Sequence, residues 1–210
     1  MTNKKLSIIA FLSTIFLHLS AGATILHIQN DCKHDIFVKS VGTSESKPLR
    51  LGPGQSKDVA LQPQQPDQVP CVWAHTGCDK KGRNCDTSDG SVSLAHAYFD
   101  YQSNNLAYYV SQADGYNLPL EMVPYSELQG NCRPTSCSFD IEQNCPRKNK
   151  VMKKGKCVAC KNMDKERKTE YSRAIQKSCP EVFVRESRED VLRAVRTCDG
   201  KTEGISVKFC

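Results

Sequence analysis

The chain has 210 residues, a formal net charge of +6 and twelve cysteines. That length suits one large domain, or one domain with a satellite, and excludes a string of domains. No stretch stays apolar for the ~20 residues that a membrane-crossing helix needs, so no such helix is expected.

Residues 1–23 read as a cleaved leader. Lys4 and Lys5 precede the apolar run IIAFLSTIFLHL, which Ser13, Thr14 and His18 interrupt, and Ala21-Gly22-Ala23 supplies the small residues that signal peptidase selects. A secreted, extracellular protein beginning at Thr24 is expected, with a formal charge of +4 once the two leader lysines are gone. An even number of cysteines in an oxidising compartment points to disulfides. Zinc would need two close pairs or spaced histidines, and Cys157-Val-Ala-Cys160 is the one CxxC present. It lies in a lysine-rich stretch without the βαβ unit of a redox site, so neither a metal nor a cofactor is expected.

From residue 24 to 123 the pattern is β. TILHIQN and DIFVKSV flank a turn at Asn30-Asp31, LGPG leads into SKDVAL, and SVSLAHAYF and NLAYYVSQ are further runs rich in aromatic and β-branched residues. Short strands divided by Gly, Pro and Asn turns predict a mainly β sandwich. Three cysteines within CVWAHTGCDKKGRNCDTSDG read as staples of a loop. Residues 132–198 differ, holding seven of the twelve cysteines and a helical pattern over 164–178. Ser187 and Asp190 have the spacing of a helix N-cap and first turn, and in a helix Asp190 would not face a cleft between the two lobes. GISVKFC closes the chain as an alternating strand. The expected organisation is a sandwich over 24–131 plus 199–210, with 132–198 as a smaller disulfide-rich lobe containing a short helix.

Residues 147–173 carry eleven Lys/Arg against three Asp/Glu, a local charge of +8. Such a run is an exposed loop in its plainest reading. Its sharper reading is a docking surface for a protein target, an anionic polysaccharide or a lipid surface. Nucleic acid is not expected, because no aromatic residue lies between 147 and 170 to stack on bases.

With these pieces in order, the chain resembles the thaumatin-like proteins, the family of osmotins and pathogenesis-related proteins of that class. ILHIQNDC is similar to the family's opening strand, LRLGPGQS to its L-x-x-G-x-S turn, and VWAHTGC to its I-W-A/G-R-T-x-C block. YYVSQADGYNLPLEM is similar to its strand-DG-x-N-x-P-M segment, TEYSRAIQKSCPEVF to its helix ending at Cys-Pro, and VKFC to its last residues. The resemblance covers most of the chain after the leader. Where the family has T-G-D-C-G-G this chain has Thr87-Ser88-Asp89-Gly90-Ser91, and NMDKER replaces a cysteine-rich part of the second lobe, so this is a trimmed member with fewer cysteines.

The resemblance implies the pairs Cys32–Cys210, Cys78–Cys85, Cys132–Cys198, Cys137–Cys179 and Cys145–Cys160. Cys71 and Cys157 have no counterpart in the family, and a sixth bridge between them is expected. It also implies an acidic cleft between the lobes that binds β-1,3-glucan through one arginine, one glutamate and three aspartates. Carried over, the arginine falls at Cys71, the glutamate at His96 and the first aspartate at Tyr109. The second is kept as Asp114, and the third falls at Asp190, with Glu189 beside it as the alternative. Asp114 could equally cap its own Asp-Gly turn, and Tyr109 and Tyr98 could stack on a sugar ring or pack in the core.

With two of five positions kept, a hydrolytic carboxylate pair is not expected. No catalytic residue is assigned, and activity would reach at most a weak β-1,3-glucanase. The reading is a monomeric, secreted, thaumatin-like protein of defence type that binds β-glucan or another cell-wall polysaccharide through Asp114, His96, Tyr109 and Asp190. Its alternative is a protein-interaction module, an enzyme inhibitor or effector, acting through residues 147–173.

Overall fold

In TILHIQN the alternation puts Leu26 and Ile28 on one face and His27 and Gln29 on the other, and the computed structural model buries the first pair in β1 (Ile25–Asn30). Residues 24–63, 69–100, 103–125, 130–199, 202 and 204–210 are described; the expected leader, 1–23, lies outside them. The strands that follow are β2 (Ile36–Val41), β3 (Leu49–Leu51), β4 (Ser56–Ala60), β5 (Cys71–His75), β6 (Leu94–Asp100), β7 (Asn105–Ser111), β8 (Gly115–Tyr116), β9 (Leu120–Pro124) and β10 (Thr135–Cys137). Helix α1 (Ile141–Asn144), β11 (Lys150–Lys153), β12 (Lys156–Lys161), α2 (Glu170–Ser178), α3 (Arg188–Ala194), β13 (Arg196–Asp199) and β14 (Gly204–Phe209) complete the chain.

Two sheets make the sandwich, a five-stranded one in the order β10-β9-β14-β1-β4 and a six-stranded one in the order β13-β7-β6-β5-β2-β3. Their apolar residues, among them Leu26, Val72, Ala95, Val110, Met122, Ile205 and Phe209, form one core. The first strand pairs in parallel with the last inside the sheet, Ile25 opposite Gly204 and Asn30 opposite Phe209, and Cys32–Cys210 bridges the ends of that pair. The sandwich recruits β10 and β13 from the 132–198 stretch. In return β8, from the first half, joins the small sheet β11-β12-β8.

The lysine-rich stretch is a hairpin rather than a loop. The register runs from Lys150 opposite Cys160 to Lys153 opposite Lys156, and Lys154 and Gly155, both at positive φ, turn the chain between the strands. Helix α2 starts later than the periodicity suggests. Thr169 caps it in a reciprocal box with Ser172, while Asp164 accepts from the amides of Glu166 and Arg167 and holds a turn of its own. Tyr171 and Ile175, one turn apart, are buried, and the Tyr171 hydroxyl donates to the Gln112 carbonyl across to the sandwich at 2.7 Å. Ser187 caps α3 as its spacing predicts, accepting from the Asp190 amide.

The chain forms Cys32–Cys210, Cys78–Cys85, Cys132–Cys198, Cys137–Cys179 and Cys145–Cys160. The expected sixth bridge is not formed: Cys71 and Cys157 are both free thiols. They stand on different sheets. Cys71 lies on β5 between Val41 and His96. Cys157 is buried on β12, its amide donating to Glu142 Oε1 on the far side of the small sheet. Thiol titration after unfolding without reductant is therefore expected to count two free thiols per molecule. In the folded protein burial, reinforced by the Asp114 charge, pushes the Cys71 thiol up to about 11. Its alkylation should be slow at neutral pH and accelerate as pH rises towards that value; an unfolded protein with no free thiol would restore the Cys71–Cys157 bridge.

Candidate functional site

The register of three strands sets the site. Cys71 on β5 lies opposite His96 on β6, and His96 opposite Tyr109 on β7. Strand alternation sends Val72, Ala95, Ala97, Tyr108 and Val110 into the core, so Cys71, His96 and Tyr109 form a cross-strand row on the outer face. Two residues along, Lys39, Trp73, Leu94 and Ser111 make the next row on that face. The three positions to which the resemblance carries an arginine, a glutamate and an aspartate are thus direct neighbours, occupied by a thiol, an imidazole and a phenol.

The rings are organised. His96 stacks on Tyr109 with centroids 4.7 Å apart and planes 11° from parallel. Phe183 leans on the other side of Tyr109 at 5.7 Å, carried by a short segment that bonds to β7 through Phe183 N to the Val110 carbonyl and Gln112 N to the Phe183 carbonyl. Burial, only partly opposed by Asp114, lowers the His96 imidazole to about 4, and its Nδ1 has no partner among the described residues. Burial raises the Tyr109 phenol to about 12. All three members of the row are uncharged at neutral pH.

Asp114 follows β7 at the mouth of this row. Among the described residues its carboxylate makes no bond to its own turn. Its carboxylate is ion-paired with Lys165, from the loop before α2, and its carbonyl accepts from the Asn162 amide. Gly115 at φ +155 is needed beside it, because a Cβ there would stand 2.8 Å from the Cys160 carbonyl and 2.9 Å from Ser91 Cα. That contact fixes Asp114 between the sandwich and the small sheet.

A second carboxylate stands on the same face. Asp89 accepts from Trp73 Nε1 at 2.9 Å and from Lys39 Nζ at 3.0 Å, and shares a 2.7 Å hydrogen bond with His75 Nε2. His75 Nδ1 is bonded in turn to Thr87 Oγ1. Burial would raise the Asp89 carboxyl, but the bonds from Lys39, Trp73 and His75 outweigh it and hold the group near 2. Desolvation lowers the His75 imidazole against the pull of Asp89. Nothing in the sequence pattern joins Lys39, Trp73, His75 and Asp89; the β2–β5 register and the return of the 78–85 disulfide loop do.

Asp190 is not part of this cleft. Its side chain is fully buried, accepting from the amides of Val184 and Arg185 and paired with Arg185 and Arg193 at 3.3 and 3.0 Å. The α3 cap at Ser187 turns it inward, and its alternative, Glu189, is exposed beside Arg185 and Arg193. Asp190 ties α3 to the 184–185 segment from inside the fold.

Glycoside hydrolysis needs one carboxyl kept protonated and a second, ionised one across the bond. Here one carboxylate is neutralised by Lys165 and the other is held ionised by Lys39. The arrangement offers flat rings, paired charges and uncharged polar atoms, which suits binding through stacking and hydrogen bonds. Among the described residues no three His, Cys, Asp or Glu side chains are grouped to hold a metal ion.

Against known proteins, a family model described as the Thaumatin family matches residues 30–169, more than half of the chain. A pathogenesis-related thaumatin-like protein (3.6) of Cryptomeria japonica is 28% identical, over 98% of this chain and 90% of its own. Pathogenesis-related protein 5 of Arabidopsis thaliana is 26% identical, over 96% of each. Among solved structures, the protein elicitor MoHrip2 from Magnaporthe oryzae aligns with a TM-score of 0.47 and 11% identity, covering 90% of this chain and 99% of that one.

Proposed function

The chain belongs to the thaumatin family, with relatives of the pathogenesis-related class and a defence-type role, and from that premise we propose that it is a secreted lectin-like protein that binds a cell-wall β-1,3-glucan without cleaving it. The His96–Tyr109 stack on the outer sheet face carries this reading. The stack presents an apolar, uncharged surface, and Asp114 with Lys165, and Asp89 with Lys39, supply acceptors and donors for sugar hydroxyls. Five disulfides fit the oxidising compartment that secretion would provide. The same carboxylates fit binding without hydrolysis, since each is already paired with a lysine.

The test is retention of the oxidised protein on insoluble β-1,3-glucan, with cellulose and the reduced protein as controls. Retention on glucan alone is expected, with no reducing ends released from laminarin. Tyr109→Ala should weaken retention by roughly tenfold, the value of one lost ring contact. Asp114→Asn should weaken it less, because Lys165 already satisfies that carboxylate. Full retention by Tyr109→Ala, or release of reducing ends, would overturn the reading.

A further inference from the structure

The eleven cations of residues 147–173 are not equivalent. Lys148 is paired with Glu170, Lys150 with Glu142, Lys153 with Asp86, Lys165 with Asp114 and Arg167 with Asp164. These five are committed to the fold. On the β11–β12 hairpin that leaves Arg147, Lys154, Lys156 and Lys161, exposed and without an ion-pair partner among the described residues. Arg147 stands at the root of the hairpin and Lys154 and Lys156 at its tip, while Lys161 lies where β12 pairs with β8, away from the β11 edge.

Between root and tip runs β11, an edge strand: β12 covers one side of it and no described strand covers the other. Its outer main-chain groups are therefore available to hydroxyls. Against this strand lies a hollow of ≈ 570 Å³ lined by Cys145, Arg147, Lys150 and the half-exposed Met152. From Lys150 to the tip at Lys154 the chain advances by roughly 13 Å at 3.3 Å per residue, so the free cations mark the two ends of a straight, hydroxyl-accepting track.

We infer that this edge of the hairpin is a second binding site, separate from the cleft, for an extended carboxylated polysaccharide of the polyuronate class. Charge complementarity selects an anion, and the Arg147 guanidinium offers the forked donors that a carboxylate accepts in pairs. The shape selects an extended polymer with a repeating charge. A lipid surface would want apolar side chains to insert, and on this hairpin Met152 is the one large apolar residue that is exposed. Nucleic acid would want aromatic platforms, and the hairpin has none.

The experiment measures binding of the oxidised protein to polygalacturonate, to the same polymer fully methyl-esterified, and to vesicles containing phosphatidylserine. Binding to the free-acid polymer alone is expected, falling steeply as salt rises from about 50 to about 300 mM. Arg147→Gln/Lys154→Gln/Lys156→Gln should weaken it by roughly tenfold or more, with the thermal midpoint and β-1,3-glucan retention unchanged. Lys148→Gln, which removes a paired cation, should leave binding near the parent value. Equal binding of the esterified polymer, preference for the vesicles, or a triple variant that binds like the parent would each overturn the inference. Glucan retention is read on the same samples, so failure of the cleft and failure of the hairpin site are distinguishable.

Discussion

Replacing Cys32 and Cys210 together by alanine should cost the protein about 5 kcal/mol, the largest loss expected from opening any single bridge. The loop that this bridge closes has a sequence separation of 178, and on the chain-entropy argument a constraint of that size on the unfolded state amounts to about 5 kcal/mol. The other bridges span 7, 66, 42 and 15 residues, and each restrains the unfolded chain less. The effect is also local to the native fold, because the bridge stands at the end of the parallel β1–β14 pair, next to Asn30 opposite Phe209. Cys32 is buried, so alanine is the better replacement; serine would add an unpaired hydroxyl there. Against a total of about 5–15 kcal/mol for a typical domain, the double variant should sit near the edge of stability. At 2–4 °C per kcal/mol for a chain of this size, the thermal midpoint should fall by roughly 10–20 °C. A midpoint within about 3 °C of the parent would mean that the β1–β14 ladder closes the fold without the bridge.

Most of the sandwich was legible because its signals are local. Alternation in ILHIQN reports directly which residues face the core, IFVKSV and GISVKF show as strands by their β-branched content, and the cleft row follows from aligning three strands in register. The lysine hairpin was not legible, because KVMKKGKCVACK alternates a cation with an apolar residue too irregularly to separate a strand from a charged loop. The turn at Lys154-Gly155 shows itself through backbone angles rather than composition. Pairings between distant residues were out of reach for a further reason. Lys165 is 51 positions from Asp114 and Lys39 is 50 from Asp89, and no local pattern joins them. The assignment of Cys71 to a bridge failed on the same ground: a cysteine count constrains parity, whereas bonding depends on which sheet each thiol faces.

The site's chemistry follows from the neutrality of its central row. A row of charged groups on this face would repel or attract by sign. Cys71, His96 and Tyr109 are instead neutral at ordinary pH, kept so by burial. The two carboxylates near them carry their own lysines, and the face as a whole recognises shape and hydroxyls more than charge. Unpaired cations of the hairpin stand elsewhere, at Arg147, Lys154, Lys156 and Lys161.

Asp190→Ala should lower stability by about 3 kcal/mol while leaving the cleft's affinity unchanged, the reverse of what a ligand-binding aspartate would do. The carboxylate joins α3 to the segment before it. It accepts from the Val184 and Arg185 amides at 3.1 and 2.8 Å and faces both Arg185 and Arg193. Removing it would strand two cations of which Arg185 is 12% exposed, and breaking one partner out of a buried ion pair costs about 3–5 kcal/mol. The lower end applies, since exposed Glu189 also reaches both arginines and would take over part of the charge. Asp190→Asn keeps an acceptor for the two amides and should lose roughly half as much. Thermal and denaturant unfolding measure the loss; glucan retention, compared well below each variant's midpoint, measures the binding. A stable Asp190→Ala protein that no longer binds glucan would place this residue in the ligand site after all, which the zero exposure of its side chain contradicts.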